Sequence, residues 1–401
     1  MKNLFAKTLA LFLICLSCIS QEKKVKSIVA SHNQPVEITY SDKSVEIIYS
    51  DSMGKNVKQI IDKNAKETLK DSLINSLSIG IYINNVSYNF HYGELTKGKG
   101  NVATNETIYE IASVTKTFTG TLASKAVLEG KLSLEDDIRE YLPKTYPNLE
   151  YNGQPIKIKH LLTHTSGLPG EVIILNNKID QNLNEIEFNK IVVEHENKKT
   201  KPIFFESLSE INLTEKPGTT FNYSNAGTNL MGYILEKVYK EPFQKLIMNE
   251  VVAKAQMKDT YFHTPKNKQY RLANGYLLGT PMPESKLANT LWGAEGALKS
   301  TIPDMLKYIH YQLKNNSIVE ESHKKLFEIG PDYWIGYLWW SIEDQNYDLH
   351  YRHDGGISRV KNVLAIFPKK KIGISIFTNE SSIKVNQKLN DLTHKIYNDL
   401  N

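Results

Sequence analysis

Ser113-Val114-Thr115-Lys116 is the stretch that decides how this chain is interpreted. Residues 114–129 have the pattern of a helix ended by Gly130, which puts Ser113 at the helix start and Lys116 one turn on, on the same face. Free N–H groups and the positive end of the helix dipole surround such a serine, and both stabilise an oxyanion. Lys116 can take the serine proton if burial favours its neutral amine. A helix-capping serine followed by a surface lysine is the plainer alternative.

A second candidate group is Tyr223-Ser224-Asn225, which follows a turn and precedes a helical pattern. Side chains on such a tight connection can project into a cleft. A tyrosine among cationic groups ionises more readily and can act as a base. Asn225 offers both a donor and an acceptor to a substrate amide or ester. A packed tyrosine and a capping asparagine remain the alternative.

The third group is His353-Asp354-Gly355-Gly356, where His353 is expected to end a strand. Glycines at that point let a substrate backbone approach the strand closely, and the Gly356 N–H is a candidate oxyanion donor. A histidine that titrates near neutrality predicts an acid limb of activity near pH 6–7. A hairpin turn of the Asp-Gly type is the alternative.

The hydrophobic pattern predicts an α+β fold. Alternating apolar residues on both sides of Asn84-Asn85 indicate a hairpin, and Trp334 to Ile342, His350 to His353, Val363 to Phe367 and Ile372 to Phe377 all resemble strands. Helical patterns dominate the middle of the chain, and a further helical pattern lies at its end. We therefore expect one antiparallel sheet built from both chain ends and flanked by helices, with a mostly helical middle subdomain.

The beginning of the chain has the features of an export signal. Residues 1–20 combine Lys2 and Lys7 with an apolar run and a small-residue end, so the product is expected to be periplasmic or secreted. Cys18 offers the alternative of a lipid anchor. Residues 21–52 are predicted to form an N-terminal extension, and residues 53–401 the main domain.

Composition excludes several function classes. The formal net charge of +5 over 401 residues is too balanced to indicate nucleic-acid binding. Both cysteines precede residue 20, which excludes disulfides and thiolate chemistry after cleavage. There is no phosphate-binding glycine loop and no later membrane-length apolar run, so we expect no cofactor and no span. His160 and His164 have a metal-ligand spacing without a third ligand nearby, which favours a structural role.

The motifs together resemble the serine β-lactamase and penicillin-binding protein family. The resemblance covers roughly residues 55–400 and is carried by Ile111 to Phe118, by Pro217-Gly218 through Gly227, by His160 to Pro169 and by Gly296 to Thr301 with Pro303-Asp304. It is similar to the branch that contains class C β-lactamases, D-alanyl-D-alanine carboxypeptidases, D-aminopeptidases and esterases.

That resemblance implies a β-lactamase/DD-peptidase-like fold and an acyl-enzyme mechanism. Ser113 would attack a carbonyl, Lys116 and Tyr223 would share the proton transfers, and Asn225 would position the substrate. The N–H groups of Ser113 and Gly356 would form the oxyanion hole. His353 would assist Tyr223 or the substrate.

One departure bears on the substrate. β-Lactamases of this branch usually carry Lys-Thr-Gly where this chain has His353-Asp354-Gly355, and His-x-Gly occurs in peptidase and esterase members. An ionised Asp354 would repel an anionic substrate, unless Arg359 pairs with it. We therefore expect an ester, amide or peptide substrate, and the cell wall is one candidate source. A β-lactamase and a penicillin-binding sensor that never turns over are the two alternatives.

Overall fold

The computed structural model describes residues 27–28, 36–41, 44–49, 52–171, 183–345 and 347–401. The chain divides into two compact units, Met1–Lys58 and Gln59–Asn401. In the first unit, three short antiparallel strands form a sheet: Ser27–Ile28, Val36–Ser41 and Ser44–Tyr49. The predicted export segment, residues 1–20 with Cys18, lies outside the described residues, and the boundary at residue 53 stays a prediction.

An eight-stranded antiparallel sheet, here called the central sheet, organises the second unit. Its strands follow one another across the sheet in the order Phe327–Gly330, Tyr333–Gly336, Trp339–Ile342, His350–Ile357, Val360–Phe367, Ile372–Thr378, Ser76–Ile83 and Val86–Gly93.

Strands from the beginning and the end of this unit pair within the sheet, two strands from one edge. Strand Ile372–Thr378 pairs with Ser76–Ile83, which brings the last strands of the chain beside the first hairpin of the unit. That hairpin turns at Asn84 and Asn85, whose φ angles of 51° and 65° lie in the left-handed region that asparagine tolerates. The α+β class, with one antiparallel sheet built from both chain ends, is confirmed.

Helices cover the sheet and fill the middle of the sequence. The longer ones are Ser52–Thr68, Thr115–Leu128, Glu185–Glu196, Lys201–Leu208, Asn225–Tyr239, Ile302–Gln312 and Ile383–Leu400. Shorter helices span Ile158–Leu162, Phe243–Ile247, Leu287–Thr290 and Ser317–Ser322. Within the described residues, no helix has both the length and the apolar character needed to cross a bilayer.

Two glycines of the central sheet let a helix pack closely on it. A Cβ at Gly373 would lie 2.1 Å from Ile309 Cγ2, and one at Gly80 would lie 2.9 Å from Ile302 Cγ2. Helix Ile302–Gln312 therefore rests on the sheet backbone itself, because any side chain at these positions would push it outward.

Two strand predictions were wrong in detail. Trp334 to Ile342 is not one strand but a hairpin that turns at Tyr337 and Leu338, both with positive φ. His353 does not end a strand either, since strand His350–Ile357 continues through Asp354-Gly355-Gly356. Pairing with Val360–Phe367 keeps these glycines extended and moves the turn to Ser358-Arg359. We call His350–Ile357 the binding strand below.

Candidate active site

Ser113 lies in a tight turn that leads directly into a helix. The 3₁₀ turn Ala112–Val114 is followed by helix Thr115–Leu128, close to the predicted 114–129. Ala112 has a φ of 45°, in the left-handed region that non-glycine residues rarely occupy. Such local strain persists only where the surroundings enforce it, and it is frequent at functional sites. The turn leaves Ser113 partly exposed at the N-terminal end of the helix.

Lys116 is fully buried beneath Ser113 and donates to three oxygens. Its Nζ lies 3.3 Å from Ser113 Oγ, 2.7 Å from Asn225 Oδ1 and 2.6 Å from the backbone oxygen of Glu295. An ammonium has three donors, so these acceptors satisfy it and fix its position. The side-chain nitrogen is thereby held within proton-transfer reach of the serine hydroxyl.

Tyr223 closes the site from the other side. Its ring centroid is 4.9 Å from Lys116 Nζ, a cation–π contact, and 4.4 Å from the ring centroid of His164. His164 Nδ1 also accepts a hydrogen bond from the N–H of Ser224, at 3.2 Å. These two contacts with His164 hold the loop that carries Tyr223 against Lys116.

Asn225 is held at both ends of its side-chain amide. Its Oδ1 accepts from Lys116, and its Nδ2 donates to Glu171 Oε1 at 2.9 Å. The other oxygen of Glu171 accepts from Lys199 Nζ at 2.6 Å, and the Lys199 side chain is only 2% exposed. Burial alone would lower the pKa of Lys199, but the carboxylates of Glu295 and Glu171 outweigh it and raise that pKa. The series of hydrogen bonds from Lys199 through Glu171 to Asn225 determines that the oxygen of the Asn225 amide faces Lys116.

The binding strand runs directly against the nucleophile turn. A Cβ at Gly355 would lie 2.4 Å from the backbone oxygen of Ile111, so only glycine permits this approach. Asn362, on the neighbouring strand, donates to the same oxygen at 3.3 Å. Gly356 is the next residue and is exposed, consistent with the place predicted for an oxyanion donor.

His353 is buried beside this cluster and is neutral at physiological pH. Its Nδ1 contacts the backbone oxygen of Asp354 at 2.8 Å, while Nε2 has no hydrogen-bond partner in the described part of the chain. Burial, reinforced by the charge of Lys116, lowers the pKa of His353 to about 4. With this pKa, His353 is not expected to produce the acid limb near pH 6–7 that the sequence predicted, because the sequence does not reveal its burial.

Asp354 is already paired. Arg352 Nε donates to its Oδ1 at 2.9 Å, and Asn386 Nδ2 lies 3.4 Å from Oδ2. The predicted alternative partner, Arg359, instead binds Glu110, with Nε 2.7 Å from Oε2. The expectation that Asp354 repels anionic substrates thus loses its physical basis, since Arg352 compensates the charge locally.

His160 and His164 make different contacts. His160 Nδ1 accepts from the N–H of Lys157, whereas the ring of His164 packs against Tyr223.

Two residues of the site were missed by sequence reasoning. Glu171 and Lys199 carry no motif of their own. The signal for Glu171 was its position two residues after Pro169, at the end of a stretch already singled out.

Comparisons with known proteins identify the family of this chain. The β-lactamase family model matches residues 61–397. The chain belongs to the β-lactamase family. It is 32% identical to Protein flp of Staphylococcus aureus (strain N315) over 355 residues, which cover 85% of this chain and 67% of that protein. It is also 26% identical to a β-lactamase of Providencia stuartii over 268 residues, covering 66% of this chain and 62% of that protein.

Solved structures share the fold of this β-lactamase family member. A β-lactamase/D-alanine carboxypeptidase from Yersinia pestis, complexed with citrate, superposes with a TM-score of 0.73 at 21% identity. A protein of the same description from Pseudomonas syringae gives a TM-score of 0.70 at 20% identity. The superpositions cover 86% and 85% of this chain, and 98% of each of those chains. The predicted β-lactamase/DD-peptidase-like fold is confirmed.

Proposed function

We propose that this chain is an exported serine hydrolase that cleaves ester, amide or peptide substrates through an acyl-enzyme on Ser113. The observation that carries the proposal is the buried Lys116 amine, held 3.3 Å from Ser113 Oγ by two further acceptors. A serine and a base in hydrogen-bond reach, with the base itself oriented, form the arrangement that covalent catalysis uses.

The proposed reaction has two steps, acylation of Ser113 and hydrolysis of the acyl-enzyme. Ser113 Oγ bonds to the substrate carbonyl carbon while its proton passes to Lys116 in the amine form. The bond to the leaving group then breaks, and the leaving group receives a proton through Lys116 and Tyr223. Water, deprotonated by the same pair, attacks the acyl-enzyme, releases the acid and restores the serine hydroxyl. The N–H groups of Ser113 and Gly356 receive the oxyanion in both steps.

The relatives support this chemistry at different levels. The two solved relatives are both described as β-lactamase/D-alanine carboxypeptidase. Both cleave an acyl bond. The neutral His353 takes the place of a lysine usual in β-lactamases, which favours esterase or peptidase activity over β-lactam turnover.

The test is covalent labelling followed by turnover. A fluorophosphonate probe should label the protein at Ser113, as located by peptide mass spectrometry. Ser113→Ala should abolish labelling and lower ester hydrolysis by several orders of magnitude, whereas the exposed Ser133→Ala should change neither. Full activity of Ser113→Ala would overturn the proposal.

Two further measurements separate the alternatives. A chromogenic cephalosporin reports β-lactamase activity directly. Mass measurement after mixing with an ester distinguishes a hydrolase, which returns to its free mass, from a sensor, which stays acylated. Stoichiometric acylation without turnover for any ester, peptide or β-lactam would favour the sensor.

A further inference from the structure

A cavity of about 330 Å³ opens beside the end of the binding strand. Gly356 and Ile357 line it on one side, so it borders the residue that was predicted to donate to the oxyanion. Helix Glu185–Glu196 forms the opposite wall. Ser358 Oγ ties that helix to the turn after the binding strand by donating to Asn189 Oδ1 at 2.7 Å.

The helix contributes both polar and apolar side chains to the cavity wall. Phe188, Val192 and Val193 line the cavity, yet none of the residues in this helix is buried, and Phe188 is 42% exposed. Ile383, at the rim, is 82% exposed. Large apolar side chains left open around a concave surface are typical of a binding site for an apolar group.

Lys361 supplies the charge of the cavity. It pairs across the sheet with Gly356, and a Cβ at Gly356 would lie 2.5 Å from Lys361 Nζ. The ammonium therefore lies over the exposed face of that glycine. Within the part of the chain that the structure describes, no carboxylate comes within 4.0 Å of it. Burial lowers the pKa of Lys361, with the more distant Glu185 and Asp354 acting against it, as expected for a cation short of both water and a close partner.

Two of the other charged groups around the cavity, Arg359 and Glu196, are compensated or weakened. Arg359 is bound to Glu110 and to the backbone oxygens of Met282 and Ala273. Burial, with the nearby charge of Glu295, raises the pKa of Glu196 to about 7, which weakens its negative charge at neutral pH. Glu185 also lines the cavity, at the other end of the helix, more than 4.0 Å from the Lys361 ammonium.

We infer that this cavity is a substrate subsite for an apolar group that ends in an anion, and that Lys361 is the residue that binds the anion. The inference rests on the proposed function, whose substrate it specifies. Because Arg352 compensates Asp354, the charged group that lies directly over Gly356 and has no carboxylate within 4.0 Å in the described residues is the Lys361 ammonium. A carboxylate at the end of an aliphatic chain would satisfy the ammonium and cover the apolar side chains of the cavity.

The test uses two esters with the same leaving group. The mono-4-nitrophenyl ester of adipic acid carries a terminal carboxylate, and 4-nitrophenyl hexanoate is its neutral counterpart of equal acyl length. The wild-type protein should favour the anionic ester by about tenfold or more in kcat/KM, the size of one charge-assisted hydrogen bond. Lys361→Met should remove that preference and Lys361→Arg should keep most of it. The ratio of the two substrates cancels any general loss of activity.

A matched control is Lys369→Met, an exposed lysine beyond the other end of strand Val360–Phe367, which should leave the ratio unchanged. A wild-type ratio of one or less, or a ratio that Lys361→Met does not alter, would overturn the inference while ester hydrolysis upholds the proposed function.

A binding measurement makes the subsite testable without turnover. In Ser113→Ala, calorimetry should show tighter binding of monomethyl adipate than of methyl hexanoate, and Lys361→Met should abolish the difference. Equal affinities would count against the subsite even if the chemistry at Ser113 proved different. Failure of Ser113 labelling, in contrast, would overturn the proposed function and leave this binding result to decide on the cavity.

Discussion

The strongest prediction concerns Glu171, whose two carboxylate oxygens serve two donors. One accepts from Asn225 Nδ2 at 2.9 Å and the other from Lys199 Nζ at 2.6 Å. A glutamine has the same shape but only one acceptor oxygen, so Glu171→Gln must turn an amide N–H towards either Asn225 or the buried ammonium. Although it is conservative in shape, Glu171→Gln should therefore lower both stability and activity.

The expected loss follows from one charge-assisted hydrogen bond. Such a bond contributes about 1.5–3 kcal/mol, and because the Glu171 side chain is 36% exposed we discount this to about 1–2 kcal/mol. Urea unfolding should show that decrease in the free energy of unfolding. Since Asn225 then loses its fixed orientation, kcat/KM for a neutral ester should also fall, by about five- to thirtyfold.

The double variant Glu171→Gln/Lys199→Met supplies the decisive comparison. Removing the ammonium relieves the donor–donor conflict, so the glutamine oxygen can face Asn225, and the double variant should recover about 1 kcal/mol relative to the sum of the single changes. Glu194→Gln, which breaks a surface pair with Lys198 whose side chains are 69% and 70% exposed, is the control and should change neither stability nor rate. Strictly additive losses would refute the reasoning.

Three further predictions follow from the same geometry. Gly355→Ala places a Cβ 2.4 Å from the backbone oxygen of Ile111, so it should lower the free energy of unfolding by about 1–3 kcal/mol and reduce Ser113 labelling. Gly330→Ala, with open space around it, should retain labelling. Equal labelling of the two variants would contradict the close approach of the strand. The pKa of His353 is lowered to about 4, so the residue stays neutral above that pH, and protonation of His353 should lower kcat/KM only as the pH falls towards 4. An acid limb at pH 6–7 that disappears in His353→Gln would contradict this prediction. Ser224→Ala removes the cap that accepts from a backbone N–H at 2.9 Å and should lower the free energy of unfolding by about 1–2 kcal/mol, measured in urea, with no change expected if the cap is redundant.

Local rules explain which elements could be predicted. The asparagine pair at residues 84 and 85 marked a hairpin because asparagine tolerates positive φ, and Ser224 marked a helix start because its hydroxyl replaces a missing backbone partner. The turn at Tyr337 and Leu338 was missed because neither residue favours the left-handed region, and only sheet pairing enforces it. The strand through Gly355 was cut short for the converse reason, since glycine pairs signal turns unless a neighbouring strand holds them extended.

The sequence by itself determined the chemistry that is encoded at short range. Ser113 and Lys116 are three residues apart, and one helical turn brings them together whatever surrounds the helix. The tertiary structure decided everything that depends on distant partners: that Arg352 rather than Arg359 compensates Asp354, that Glu171 joins Asn225 to Lys199, and that burial lowers the pKa of His353. Burial and pairing arise from elements that are far apart in the chain, and these long-range contacts set the charge that a substrate meets.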